Sequence, residues 1–136
     1  MRKPIAIRPM TVDDVDAAAA ILAQVKLYPK SDANKRIAFY VQLPNSCCLV
    51  AEIGPDVVGI VLSIFNGFHM FLTHIGVLES QRGRGIGSTL HAELLDRANQ
   101  LGARGIVVDA IFSAEPFFRK LGYRSPGATF LIHDAK

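Results

Sequence analysis

The feature that most constrains this chain lies just past its middle. An apolar stretch closing on Ile75, Gly76 and Val77 runs into Gln81, Arg82, Gly83, Arg84, Gly85, Ile86, Gly87 and Ser88, and a helix-patterned segment follows at once. A strand that leads through glycines into a helix leaves a row of backbone N–H groups without intrahelical acceptors. Those donors sit at the positive end of a helix dipole, where a phosphate or diphosphate is stabilised. Arg82 and Arg84 add charge-assisted donors in the same turn. The chain must therefore fold so that a strand end meets a helix start.

The 136 residues, half apolar and a fifth charged, suit one domain, 1–136, with a sizeable core. A formal charge of +3, with no block of like charge, gives no support to nucleic acid as the main partner. The opening residues from Met1 to Arg8 are basic but lack the apolar run of a signal peptide. No apolar stretch approaches the ~20 residues of a membrane helix, so no membrane partner is expected. Cys47 and Cys48 are adjacent, which suits neither a zinc knuckle nor a disulfide framework, and no metal is expected. Beside Leu49, Val50 and Ala51 they read as buried strand thiols, with a reducing cytoplasm as the default location.

Ile5 to Arg8 reads as a short strand, and Thr11 as the cap of a helix with Asp13 and Asp14 in its first turn. An apolar stripe of Val15, Ala18, Ala19 and Leu22 predicts that helix to about Leu27, where Tyr28 and Pro29 stop it. Ser31 or Asp32 caps a shorter helix carrying Ile37, Tyr40 and Val41. Two β-branched runs, Cys47 to Ile53 and Val57 to Phe65, flank Gly54-Pro55-Asp56 and predict an antiparallel hairpin. Asn66-Gly67 returns the chain into a strand from about Met70 to Leu78. The helix after the glycine turn places Ile86, Leu90, Leu94, Ala98 and Leu101 on one face and ends at Gly102. Gly105 to Asp109 reads as a fifth strand, Ser113 to Leu121 as a brief helix, and Tyr123-Arg124 and Ala128 to His133 as closing strands. This mixed order argues an α/β sheet with helices on its faces.

The turn is not a Walker A loop, because Gly87-Ser88-Thr89 lacks the lysine. Nor is it a dinucleotide fingerprint: counted from Gly83, Ser88 stands where the third glycine belongs. A generic strand–helix turn is the plain alternative. Taken together, however, Ile75-Gly76-Val77 followed by Arg82-Gly83-x-Gly85-Ile86-Gly87 resembles the acetyl-coenzyme A signature of the GNAT superfamily of N-acetyltransferases. A second segment, Ala114-x-x-Phe117-Phe118-x-x-x-Gly122-Tyr123, is similar to that family's Ala-x-x-Phe-Tyr-x-x-x-Gly-Phe block. The opening Ile7-Arg8-Pro9-x-Thr11-x-x-Asp14 also resembles its usual start.

The resemblance implies a mixed, mostly antiparallel sheet of about six to seven strands, helices on both faces, and a splayed strand pair at the coenzyme site. It implies acetyl-CoA as cosubstrate, its pyrophosphate on the N–H groups of Arg82, Gly83, Arg84, Gly85, Ile86 and Gly87, with Ser88 beside them. The pantetheine arm would enter between the strand at Ile75, Gly76 and Val77 and the strand at Ile106 to Asp109. Phe117, Phe118 and Lys120 would flank the coenzyme. The N–H of Ile75 would stabilise the oxyanion when a primary amine, of a small molecule or a peptide, attacks the thioester directly.

The chain departs from the family pattern at the catalytic groups. Phe118 stands where many members carry an acidic tyrosine, and Phe71 and Thr73 where many carry glutamate or histidine. His69 shares strand parity with Phe71 and Thr73 and is one candidate base, or else an exposed loop residue; Thr73 is a second candidate, orienting a water. His74 points to the opposite face unless a bulge intervenes, Tyr123 reads as packing, His91 as solvated, and His133 is uninformative. A missing base favours acceptors of low pKa: a lysine-like amine near 10.4 costs roughly 4–5 kcal/mol to neutralise at pH 7, an α-amine about 1 kcal/mol. The acceptor pocket, by resemblance, involves the connection from about Tyr28 to Asp32 and the last hairpin. A coenzyme-binding module without catalysis is the second reading and a nucleotide-binding protein the third. The oligomeric state is left open, although the strand at Thr129 to His133 offers an edge with which a second copy could pair as a homodimer.

Overall fold

The computed structural model describes residues 3–24, 30–110 and 114–135, with the side chains of Lys30 and Ser31 also outside the description. Along the chain run β1 (Ile5–Pro9), α1 (Val15–Gln24), α2 (Lys30–Val41), β2 (Ser46–Ile53), β3 (Asp56–Phe65), β4 (Met70–Val77), α3 (Ile86–Gln100), β5 (Ile106–Val107) and α4 (Glu115–Lys120). The expected end of the first helix at Leu27 and start of the last at Ser113 lie outside the described residues.

The sheet follows chain order, β1-β2-β3-β4-β5, with every pair antiparallel except β4 and β5, which are parallel. Strand alternation divides its side chains between two cores. Cys48, Val50, Ile60 and Leu62 meet α1 and α2 on one face, while Leu49, Ala51, Val61 and Leu72 meet Ile86, Leu90 and Leu94 of α3 on the other. Ala18 and Ala19 of α1 are fully buried, so this helix lies close on the sheet. At its entry Arg8 grips both Asp14 carboxylate oxygens at 2.8 Å and Glu52 at 2.8 Å, joining β1, the Val12–Asp14 turn and β2.

The β2–β3 hairpin turns at Gly54, at φ +58°, with Ile53 opposite Asp56, as its turn residues predict. The β3–β4 connection is a four-residue loop rather than a tight two-residue turn. Asn66 organises it, its Oδ1 accepting the N–H groups of Phe68 and His69 at 2.9 and 2.8 Å.

Within β4 the register slips. His74 pairs with Leu62 and Leu72 with Ser63, which leaves Thr73 as an extra residue, a β-bulge. The bulge inverts the alternation beyond it. Met70 and Leu72 face α3 before it, Ile75 and Val77 face α3 after it, and a side chain at Gly76 would meet Ile21 of α1 at 3.1 Å.

Among the described residues the sheet has five strands, not six to seven. The stretches expected as strands at Tyr123-Arg124 and Ala128 to His133 form none, and Phe130, Leu131 and Ile132 are 65, 83 and 77% exposed. Pro126 and Gly127 interrupt this segment, and β-propensity becomes a strand only where a ladder and a packed face are at hand. The fifth strand is likewise shorter than Gly105 to Asp109. Only Met70–Ile106 and Phe71–Val107 pair, and beyond them β4 parts from its neighbour. That parting is the splay implied by the resemblance.

Candidate functional site

Past the bulge, β4 exposes unpaired backbone on its outer side. The Leu78 N–H donates to the Val58 carbonyl at 2.8 Å, towards β3. Alternation therefore turns the N–H groups of Gly76 and His74 to β3 and those of Ile75 and Val77 into the gap beside β5. The Val77 carbonyl, facing the same way, is taken by Arg82 Nε at 3.2 Å. The ladder is interrupted at Ile75 and Val77.

The chain then makes a 3₁₀ turn, Glu79–Gln81, in which the Arg82 N–H donates to the Glu79 carbonyl at 3.3 Å. Gly83 and Gly85 follow at φ +83° and +76°, a region that favours glycine. Gly85 is the N-cap of α3, with no side-chain cap and no acidic residue in the first turn. The first N–H with an acceptor is that of Thr89, to the Gly85 carbonyl at 3.0 Å. Among the described residues, the six N–H groups from Gly83 to Ser88 have no backbone acceptor. The expected row, 82 to 87, thus moves on by one residue because the Arg82 amide is already used. Arg84 is drawn back by Gln81, whose Oε1 accepts from Nη1 at 2.6 Å.

All of the residues from Gly83 to Ser88 but Arg84 line a cavity of about 510 Å³. It brings together Ile75, Gly76 and Val77 from β4, Arg82, Gly83 and Gly85 from the turn, Ile86, Gly87 and Ser88 from α3, and Phe117 and Phe118 from α4. Gln81 and Ala114 join this lining, whereas Arg84 and Lys120 stand outside it. Phe117 lies over the first turn of α3, where a Cβ at Gly87 would come within 3.3 Å of its ring. Phe118 is 5% exposed and packs edge-on against Phe117 and Tyr123 at 5.2 and 5.3 Å between centroids. The walls are thus apolar and the far end is a cluster of amide donors, which fits a long ligand with an anionic diphosphate.

On the opposite face of β4 lies a second cavity, of about 660 Å³, between α2 and the sheet. Thr73, His74 and Tyr40 meet there. Thr73 Oγ1 lies 3.0 Å from the Leu62 carbonyl, 3.1 Å from the Tyr40 hydroxyl and 3.2 Å from His74 Nδ1. Burial pulls the His74 imidazole below its usual range, with Asp109 opposing, and burial pushes the Tyr40 phenol up. The bulge is what carries His74 to this face. Sequence reasoning named the bulge as the condition for this, but nothing in the strand pattern signals it. Tyr40, 33 residues from Thr73, read in the sequence only as part of the apolar face of its helix. Tyr28 and the Lys30 side chain, from the expected acceptor connection, lie outside the description; Asp32 lines this cavity.

His69 does not reach either cavity. Asn66 holds it in the loop before β4, so strand alternation does not extend to it, and it lines a separate hollow with His91 and Arg104. His91 is buried rather than solvated: it is 6% exposed, and its Nε2 lies 2.7 Å from the Tyr123 hydroxyl. Burial raises both thiols, Cys48 to about 11, so neither is a ready nucleophile. Among the described residues no three His, Cys, Asp or Glu side chains gather as a metal site, and no helix is long and apolar enough to cross a membrane.

A sheet that parts beside an uncapped, glycine-led helix defines an α/β protein with an apolar cleft that ends in a cluster of backbone amides. The acetyltransferase (GNAT) family profile matches residues 16–123, and the chain belongs to that family. Among curated proteins none matches it. Among solved structures, an aminoglycoside N-acetyltransferase, AAC(6')-Iy, in complex with coenzyme A, superimposes with a TM-score of 0.84 at 18% identity, over 98% of this chain and 97% of that one. A ribosomal-protein-alanine N-acetyltransferase from Brucella melitensis biovar Abortus 2308 gives 0.80 at 19% identity, over 96% and 100%. Glucosamine-6-phosphate N-acetyltransferase from Arabidopsis thaliana gives 0.77 at 13%, over 96% and 99%. At these identities the likeness is one of fold.

Proposed function

We propose that this chain is an acetyl-CoA-dependent N-acetyltransferase acting on a primary amine of a small molecule or peptide. The observation that carries the reading is the row of N–H groups from Gly83 to Ser88 without a backbone acceptor among the described residues, all but Arg84 on residues that line the same cavity as Ile75 and Val77 of β4. Six amides at the positive end of α3 bind the diphosphate, and the Arg82 guanidinium adds charge beside them. The Val77 N–H takes an amide carbonyl of the pantetheine arm, while Phe117, Phe118 and Ile86 exclude water from it. When bound, the coenzyme supplies a thioester whose carbonyl carbon an amine attacks. The Ile75 N–H, facing the gap, is then the donor to the developing oxyanion. The acceptor enters from the Thr73 side, through the cavity under α2.

The preferred acceptor is an α-amine or another amine of low pKa. Neutralising it at pH 7 costs about 1 kcal/mol, against roughly 4–5 kcal/mol for a lysine-like amine. Calorimetric titration with acetyl-CoA and thiol release over an amine panel test this. Binding together with faster release on α-amines than on lysine-like amines is expected. Absence of binding overturns the assignment, and equal rates overturn the acceptor preference. Phe118 offers no hydroxyl to the leaving sulfur, which favours one second reading, a coenzyme-binding module without turnover. Binding with no thiol release on any amine would establish it.

A further inference from the structure

We infer that two copies of this chain exchange the segment 128–133, each laying it as an added strand along the outer edge of the other's β5.

The edge is open. Among the described residues β5 is the last strand of the sheet and pairs only with β4. The Met70 N–H donates to the Gly105 carbonyl at 3.0 Å, so alternation turns the N–H and C=O of Val107 to β4 and those of Ile106 outwards. Beyond β5, Val108, Asp109 and Ala110 make no backbone hydrogen bond among the described residues. Such a row of unpaired groups is a template for a further strand. Two hollows, of about 420 and 490 Å³, follow it, the first beside Arg104 to Val108 and the second beside Val108 to Ala110. They adjoin at Val108 and Tyr123, forming one groove along seven residues.

The segment 128–133 has the chemistry to fill that groove. Thr129, Phe130 and Ile132 are strand formers, and Phe130, Leu131 and Ile132 are 65, 83 and 77% exposed. On its own chain the segment borders the groove without entering it. Arg119 Nη2 donates to Ser125 Oγ at 2.7 Å, Gly127 turns the chain at φ +80°, and Ala128 and Phe130 form a wall of the second hollow. The space between that wall and Val108 to Ala110 is left to another chain.

Charge fixes the direction. Arg104 stands at the start of β5, its guanidinium 5.7 Å from the Phe68 ring, and among the described residues it has no carboxylate partner. Asp134, just past the segment, likewise has no cationic partner there. An antiparallel strand brings Asp134 to Arg104. A parallel one would set Asp134 beside Asp109, like against like.

The exchange is reciprocal, so each contact is made twice. Six apolar side chains of roughly 100–150 Å² each, with an equal area of groove wall, bury on the order of 1,200–1,800 Å², the size of a specific protein interface. The partner is therefore a second copy, whose own groove takes the segment in return.

Light scattering on size-exclusion fractions at micromolar concentration, with amide hydrogen exchange, tests this on the full chain. Wild type should elute at twice the 14.8 kDa chain mass with the amides of 129–133 protected. Ile132→Glu, at an exposed position, should keep the fold and raise the dimer dissociation constant about 100-fold or more. Arg104→Glu should raise it about 10-fold, and adding Asp134→Arg to it should restore it. A monomeric wild type overturns the inference, and protected amides at 129–133 in that monomer would show the segment folded onto its own β5. A dimer indifferent to both Ile132→Glu and Arg104→Glu uses another surface and overturns it as well. Should Ile132→Glu fail to fold, a charge exchange between positions 104 and 134 that restores nothing overturns it equally.

Discussion

At the scale of single residues, two buried partnerships set how the fold answers acid. His91 packs against Tyr123 with its Nε2 2.7 Å from the hydroxyl, and burial lowers its pKa. A histidine whose folded pKa lies below its unfolded value of about 6.5 contributes full stability above that value. The contribution is lost as pH falls through it, because the unfolded chain binds the proton more readily. Thermal melts between about pH 5 and pH 8 should show this loss in wild type and a flatter profile in His91→Gln. Tyr123→Phe leaves the imidazole without its partner and should cost about 1–3 kcal/mol at neutral pH. Asp14 behaves as the carboxylate counterpart. The Arg8 guanidinium holds its carboxyl below the ordinary range. This contribution is complete above about pH 4, the unfolded value, and is lost on further acidification. Arg8→Met should cost about 1.5–3 kcal/mol, the range for hydrogen bonds to a charged group, and Arg8's partial exposure argues against more. Chemical denaturation at neutral pH measures it.

At the scale of elements, the contact of α3 with β3 governs both stability and the cradle. A Cβ at Gly59 would stand 3.0 Å from Ile86 Cγ2 and from Leu90 Cδ1, and 3.3 Å from the Gly76 carbonyl. Gly59→Ala should therefore destabilise by about 1–3 kcal/mol and weaken acetyl-CoA binding, because α3 must lift at the end that carries the amides. Gly105→Ala, whose Cβ would meet nothing within 4 Å, is the control and should bind as wild type. Elements with local chemistry were legible in the sequence. Gly54-Pro55-Asp56 specified a hairpin, Gly83 and Gly85 a turn, and Leu90, Leu94 and Ala98 a buried helix stripe. Elements that depend on distant partners were not. His91 is next in sequence to that stripe, but its burial is completed by Tyr123, 32 residues on. The stretch from Ala128 to His133 has the composition of a strand and lacks the neighbour that would make it one. The bulge at Thr73 is a property of pairing with β3, and a single strand's pattern cannot display it.

At the scale of the whole molecule, the sheet is a partition with a cavity on each side, one lined by amides and aromatics, the other by Thr73, His74 and Tyr40. Because α3 has no cap of its own, a diphosphate bound there should also stabilise the fold. Acetyl-CoA at one hundred times its Kd should raise stability by about 2.7 kcal/mol, read as an upward thermal shift. ATP, which lacks an arm for the apolar gap, should shift it less at equal concentration. An ATP shift exceeding that of acetyl-CoA would favour a nucleotide-binding protein.

Thr73 also gives β4 two halves that are out of phase, much as an odd stitch reverses every stitch after it. Deleting that one residue would restore strict alternation. The pairs Leu72–Ser63 and His74–Leu62 would then be consecutive, so Ile75 and Val77 would keep their side towards α3 and the Ile75 amide its direction towards the gap. A shortening by a single position here should therefore preserve coenzyme binding while removing the hydroxyl that lies between Tyr40 and His74.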